Sequence, residues 1–216
     1  MKKIMFNDRF GLTEAVLSGR KTQTRRICKH QRPDESYEVV FPVFGADDYD
    51  ENGNCKSPLY GAFGWRNEVG DFTGCNISKY KVGEIVAVAQ SYESIYNEQG
   101  LETMDMLVSG LKTHKGWRNK LFVASDKMPH HIRITKVRIE RLQDISGENC
   151  LAEGVRMIDI DPESPIYDVY FYENDGLVFL FGSSKDAYAD MIDRIYGKGT
   201  WESNPWVFVY EFKLVD

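Results

Sequence analysis

The chain has 216 residues, with 27 Lys+Arg against 33 Asp+Glu and a formal net charge of −6. Hydrophobic residues make up 42% and aromatics 13%, which supplies a core and excludes global disorder. No run of about 18 apolar residues is present, so no transmembrane helix is expected, and the net acidity disfavours a protein that coats long duplex nucleic acid by bulk charge.

Lys2 to Phe6 reads as a short strand. The basic start has no apolar stretch behind it, so no secretory leader is read and a cytoplasmic chain is expected. Asn7 or Asp8 can cap a helix running to about Ser18, with Leu12, Ala15 and Val16 on one face and Gly19 at its end. Gln23 to Cys28 is extended. Periodicity is then lost from about Lys29 to Tyr80, a stretch with Pro33, Pro42, Pro58 and the acidic run Asp47 to Glu51. It reads as an irregular, ordered insertion, with Tyr60, Phe63, Trp65 and Phe72 packing part of it down. Val82-Gly83-Glu84 is a turn leading into a strand at Ile85 to Glu93.

Ile132 to Leu142 is the clearest long strand, and a shift of apolar parity between Ile134 and Val137 points to a bulge or to two buried faces. Ser146 can cap a short helix through Glu153, ended by Gly154. Asp159 to Leu177 again reads as irregular. Tyr188, Met191, Ile192 and Ile195 have helical spacing, which predicts an amphipathic helix over 186–196 closed by Gly197. Trp206 to Leu214 is a final strand with apolar residues on both parities. The expected fold is therefore α+β: one domain over 1–216, a small, mostly antiparallel β-barrel with peripheral helices, and irregular insertions at about 30–80 and 156–185.

Cys28, Cys55, Cys75 and Cys150 contain no closely spaced pair, so reduced thiols are expected rather than a zinc site or a disulfide framework. Cys28-Lys29-His30 and His130-His131 come nearest to ligand clusters, and His131 reads as the first residue of a strand. No metal or cofactor is expected.

The informative segment is Gly19-Arg20-Lys21-Thr22-Gln23-Thr24-Arg25-Arg26. Six Lys or Arg and no Asp or Glu lie between Ala15 and Pro33, in an acidic protein. The segment starts where a helix ends, so its side chains can fan into a cleft. Lys21 and Thr24 are spaced to serve one ligand, and arginine can grip phosphate in bidentate fashion. The competing readings are a solvated basic turn, or charges that neutralise the negative helix C-terminus.

Gly19-x-Lys21-x-x-Thr24-x-Arg26 resembles the signature of the ASCH family, itself similar to the PUA domains of RNA-modifying proteins. The resemblance continues in Tyr80 to Val86, similar to the family's vGD start of a strand. It continues in Val137 to Ser146 with Ala152-Glu153-Gly154, and in Ile195-Tyr196-Gly197 with Trp201 to Phe208, segments like those of longer phage, prophage and bacterial members. It implies a PUA-like β-barrel, a cleft beside the signature, and RNA, a nucleotide or a modified nucleoside as partner. Some short members are amidohydrolases acting on N4-acetylcytidine, whose functional residues match Lys21, Thr24 and Glu153.

That chemistry is self-consistent without a metal. A threonine hydroxyl needs a base, a lysine can be that base when burial and a neighbouring Arg lower its pKa, and Glu153 can pass a proton to the leaving amine or orient Lys21. The competing role for Glu153 is a helix-terminal acid paired to Arg26 or Lys21. Arg25 and Arg26 are candidate binding residues. Gln90, Tyr92 and Glu93 at a strand end are candidates to line the same cleft, and Trp201 to stack on a base, although packing suits Trp201 and Trp206 as well. Trp117 to Lys120 is a second candidate for backbone contact. Three functions stay open: a nucleotide- or RNA-binding module, an amidohydrolase, and a phage-derived accessory whose insertion contacts an unidentified protein.

Overall fold

A computed structural model of the chain describes residues 1–40, 62–100, 110–158 and 168–216. The acidic run Asp47 to Glu51, Tyr60, Cys55 and most of the stretch from Asp159 to Asp168 lie outside these residues. After β1 (Lys3–Ile4), Asn7 accepts a hydrogen bond from the Arg9 amide and starts a 3-10 turn at Asp8–Phe10. α1 (Leu12–Leu17) buries Leu12, Ala15 and Val16, so the single helix expected here is split at Gly11. β2 (Gln23–Ile27) follows.

The segment expected to be irregular from about 30 to 80 instead contains β3 (Tyr37–Val40), β4 (Ala62–Asn67) and β5 (Phe72–Ile77), paired antiparallel. Trp65 and Phe63 of β4 are fully buried, which is why this sheet packs onto the protein. β6 (Ile85–Val88) stops short of the expected Glu93. Ser91 accepts a hydrogen bond from the Ser94 amide and caps α2 (Tyr92–Glu98), which turns Glu93 into a first-turn helical residue.

β7 (His131–Arg141) is the long strand expected, and its register against the last strand shifts opposite Glu211 and Phe212, leaving Thr135 as the extra residue. That is the bulge signalled by the parity change. Ser146 caps α3 (Gly147–Ala152), and Glu153 is its C-cap. The second segment read as irregular forms an antiparallel sheet, β8 (Arg156–Ile158), β9 (Val169–Asn174) and β10 (Leu177–Phe181). α4 (Ser184–Tyr196) buries Ala187, Tyr188, Met191 and Ile192, and α5 (Thr200–Ser203) leads into β11 (Trp206–Leu214).

The main sheet has the order β1-β6-β7-β11-β2, antiparallel except for the parallel β1–β6 pair. Among the described residues no sheet closes into a barrel, which corrects that part of the expectation: β1 is two residues long and β2 ends the hydrogen-bonded order. The α+β class holds. One buried cluster joins residues of all three sheets, including Phe63, Trp65, Tyr172, Val209 and Tyr210. A smaller one gathers Ala87, Ala89, Ile95, Val123 and Met128. Among the described residues no helix is long and apolar enough to cross a membrane.

Candidate functional site

Two glycines aim the signature at α3. Gly19, at φ +74°, turns the chain back after α1, and the Lys21 amide then donates to the Ala15 carbonyl at 2.8 Å. Thr22 donates to the carbonyl of Ala152 at 2.9 Å, stitching the segment to the end of α3. Gly154 follows at φ +112°, and a Cβ there would stand 2.7 Å from Leu12 Cδ2. The backbone here runs close to Leu12 of α1, and a side chain would have to displace the end of Leu12 and hold a left-handed φ that glycine adopts without strain.

This approach buries Lys21, which is 2% exposed, against Glu153, which is 3% exposed. Lys21 Nζ donates to Glu153 Oε2 and to the Glu153 backbone carbonyl, both at 2.6 Å. It therefore neutralises the acid and caps the carbonyl end of α3, where a carboxylate is otherwise unfavourable. Arg25 Nη1 donates to Glu153 Oε1 at 2.9 Å, while its Nε and Nη2 grip Glu140 Oε1 at 3.0 and 2.6 Å. Arg138 donates to Glu140 Oε2 at 2.9 Å and also to Glu211. Arg25 and Arg138 both pair with Val209 across the sheet, so this charged ladder runs over one face of β2, β11 and β7.

The expected fan of basic side chains is thus largely turned inward. The structural pairing read for Glu153 is present, to Lys21 and to Arg25 rather than Arg26. Burial lowers the Lys21 pKa, Glu153 opposes that shift, and the charges of Arg26 and Arg25 add to it. Burial also opposes the Arg25 charge, but Glu153, Tyr188 and Glu140 outweigh it and raise its pKa.

Lys21, Thr24, Arg25, Arg26, Glu153 and Tyr188 meet around one cavity of about 40 Å³, closed on its far side by Phe6, Leu12 and the apolar face of α4. This volume holds a few atoms, not a nucleoside. Thr24 is 4% exposed and its hydroxyl makes no hydrogen bond among the described residues. The Tyr188 hydroxyl is buried and has no partner among the described residues, and burial followed by the Glu153 charge raises its pKa well above the ordinary range. Tyr188 was read only as a helix-face residue, because apolar spacing does not report where a hydroxyl ends up.

Arg26 also lines a second cavity, of about 570 Å³. Its guanidinium donates to the Met5 carbonyl and lies 5.9 Å from the Phe6 ring, at the boundary between the two spaces. The remaining candidates lie elsewhere. Gln90 donates to Glu98, and Glu93 accepts from the Trp117 indole, so neither lines the signature cavity. Trp201 packs edge-on against Tyr188 at 6.2 Å and serves the core. Lys120 is spent on the Phe6 carbonyl and Asp8. His131 opens β7 and bonds Asp216. Among the described residues no three His, Cys, Asp or Glu side chains group as a metal site.

Comparison with protein-family models, with curated proteins and with solved structures finds no match for this chain.

Proposed function

We propose that the chain is a nucleotide- or RNA-binding protein of ASCH type, with a PUA-like core, that uses the cleft at Gly19 to Arg26. One observation carries this reading: Lys21, Thr24, Arg25 and Arg26 of the signature line one cavity together with Glu153, contributed from a segment far along the chain. Lys21 and Arg25 are held by carboxylates and fix the wall. Arg26, half-buried and free of an acidic partner among the described residues, is the group left to meet a ligand's phosphate or carbonyl oxygen. The cavity admits only the end of a ligand, so the bulk of it lies past Arg26. Titration of mononucleotides and short single-stranded RNA is expected to give binding that weakens as salt rises and weakens further in Arg26→Ala. Absent or salt-independent binding removes this reading.

A second reading, an amidohydrolase acting on N4-acetylcytidine-type nucleosides, is favoured by the unpartnered Thr24 hydroxyl beside a lysine whose pKa is lowered. Thr24 Oγ would attack the acyl carbon, Lys21 would take its proton, and the amine would leave with a proton relayed through Glu153. Water would then release the acid and restore Thr24. This predicts acetate release abolished by Lys21→Ala and by Glu153→Gln. A panel of acyl-nucleosides left intact by the native protein rules it out. The accessory-protein reading rests on residues 45–57, outside the described structure.

A further inference from the structure

The larger cavity lies between the main sheet and the β3–β4–β5 sheet. Its floor is one face of β2 and β11, where Arg26 pairs with Phe208 and Thr24 with Tyr210. Its opposite wall is β5, with Cys75, Asn76 and Ile77, continued by Lys79 and Tyr80. The two sides are fastened before any ligand arrives. The His30 amide donates to Asn76 Oδ1 at 2.9 Å and Asn76 Nδ2 returns a bond to the His30 carbonyl at 2.8 Å, with Asn76 only 2% exposed. The Tyr210 hydroxyl accepts from the Lys79 amide at 3.1 Å, and Tyr80 donates to the Lys3 carbonyl at 3.0 Å. A wall built in this way costs a ligand little ordering entropy.

The lining has a definite chemistry. Arg26, Lys29 and Lys79 line it beside His30, and among the described residues no Asp or Glu does, in a chain whose net charge is −6. Such a local excess of cationic side chains selects an anion and repels a divalent cation. Between the cations lie ring and aliphatic surfaces, with Tyr80 and Tyr210 edge-on at 5.1 Å and Lys79 Nζ 5.4 Å above the Tyr80 ring. A ligand filling this space therefore combines an anionic group with a flat apolar body. The volume of about 570 Å³ falls within the range of roughly 300–1,000 Å³ typical of small-molecule sites.

We propose that this cavity binds a single nucleotide, its phosphate held by Lys29 and Lys79 and its base against the Phe208–Tyr210 floor, with Arg26 joining it to the signature cavity. The β3–β4–β5 sheet, absent from the segments that resemble ASCH proteins, thereby supplies one side of the ligand site. The proposal rests on the nucleotide reading above and places the ligand within it.

The test is calorimetric titration of the full chain with the four nucleoside 5′-monophosphates, the matching nucleosides, inorganic phosphate and a short single-stranded RNA. Lys29 and Lys79 are exposed and Ile77 is 61% exposed, so Lys29→Ala/Lys79→Ala and the cavity-filling Ile77→Trp leave the core intact. A monophosphate is expected to bind more tightly than its nucleoside or phosphate alone, and about tenfold or more weakly in both variants. Undiminished nucleotide binding in both variants overturns this placement and leaves the general reading standing. So does binding of RNA without binding of any mononucleotide. Phosphate binding as tightly as the nucleotide overturns the base pocket. Binding of neither nucleotide nor RNA removes this proposal and the reading beneath it together.

Discussion

Lys21 holds Glu153 at two points, the carboxylate and the backbone carbonyl, across 132 positions of sequence. One ammonium thus neutralises an acid at a helix C-terminus, caps that helix and anchors the strand that follows it. Two charges with side-chain exposures of 1% and 4% have left water to do this, which is tolerable only because each remaining polar atom has a partner.

Removing one member of this pair strands the other. Lys21→Met and Glu153→Leu are each expected to cost about 3–5 kcal/mol of stability. The double variant is expected to cost clearly less than the sum, since it strands no lone member of the pair and leaves only Arg25 Nη1 and the Glu153 backbone carbonyl short of a bond. Urea unfolding of the four proteins gives the coupling energy directly. Strictly additive losses show that the two side chains do not act as a pair.

Tyr188 makes the opposite prediction. Its buried hydroxyl has no partner among the described residues, and an unsatisfied buried polar group costs about 1–3 kcal/mol. Tyr188→Phe keeps the ring packed on Trp201 and removes the cost, so the urea midpoint is expected to rise. If the midpoint instead falls, a water or ligand atom satisfies that hydroxyl in solution.

Much of this arrangement was legible in the sequence where local chemistry and burial agree. Ser146 and Gly154 bracket α3, the parity change at Ile134 to Val137 marks the bulge, and the spacing from Tyr188 to Ile195 gives α4. The convergence of Lys21, Thr24 and Glu153 came from the resemblance, since nothing local relates residues so far apart. The inserted sheets escaped notice because their strands are at most six residues long and pack both parities or neither. One signal was available: Asp175-Gly176 joins β9 to β10, with both residues at positive φ as a tight hairpin demands. Missing β5 hid the large cavity, because Lys29, His30 and Lys79 meet only once that strand is in place. Gln90 and Glu93 were misplaced for a simpler reason, the cap at Ser91 that ends the extended chain.

Gly154 is expected to be sensitive out of proportion to its size. Alanine there meets Leu12 Cδ2 at 2.7 Å and must hold φ +112°, a combination costing about 1–3 kcal/mol. Because the residue adjoins Glu153, Gly154→Ala is also expected to weaken ligand binding by displacing the Lys21 contact. Gly83, at φ +83° with open space around it, provides the control: Gly83→Ala is expected to lower stability without moving affinity. Equal effects on affinity would sever the link between the α1–α3 approach and the site.

Two thiols contribute to the alkaline limb of stability. Burial pushes Cys28 from its ordinary 9.0 up to about 12 and Cys150 from 9.0 up to about 11. Both pKa values are higher in the folded state, so above pH 9 the unfolded chain releases protons that the folded chain retains. Stability contributed by these groups is complete below pH 9 and is lost as pH rises through 11 and 12, on the order of 3 kcal/mol for each thiol. Lys21 runs the other way. Its folded pKa lies below the ordinary 10.5, so the unfolded chain holds the extra proton there and stability gains as pH climbs towards that value. Unfolding free energies measured by urea between about pH 8 and 11 are expected to fall on balance, because the two thiols are joined by the buried phenols of Tyr80, Tyr188 and Tyr210, whose pKa values are raised as well, against the lowered ones of Lys21 and Lys120. In Cys28→Ala/Cys150→Ala the fall is expected to become shallower, from a lower baseline set by the lost core volume. An alkaline decline as steep in that variant as in the native chain would place its source elsewhere, with the buried Tyr188 hydroxyl next in line.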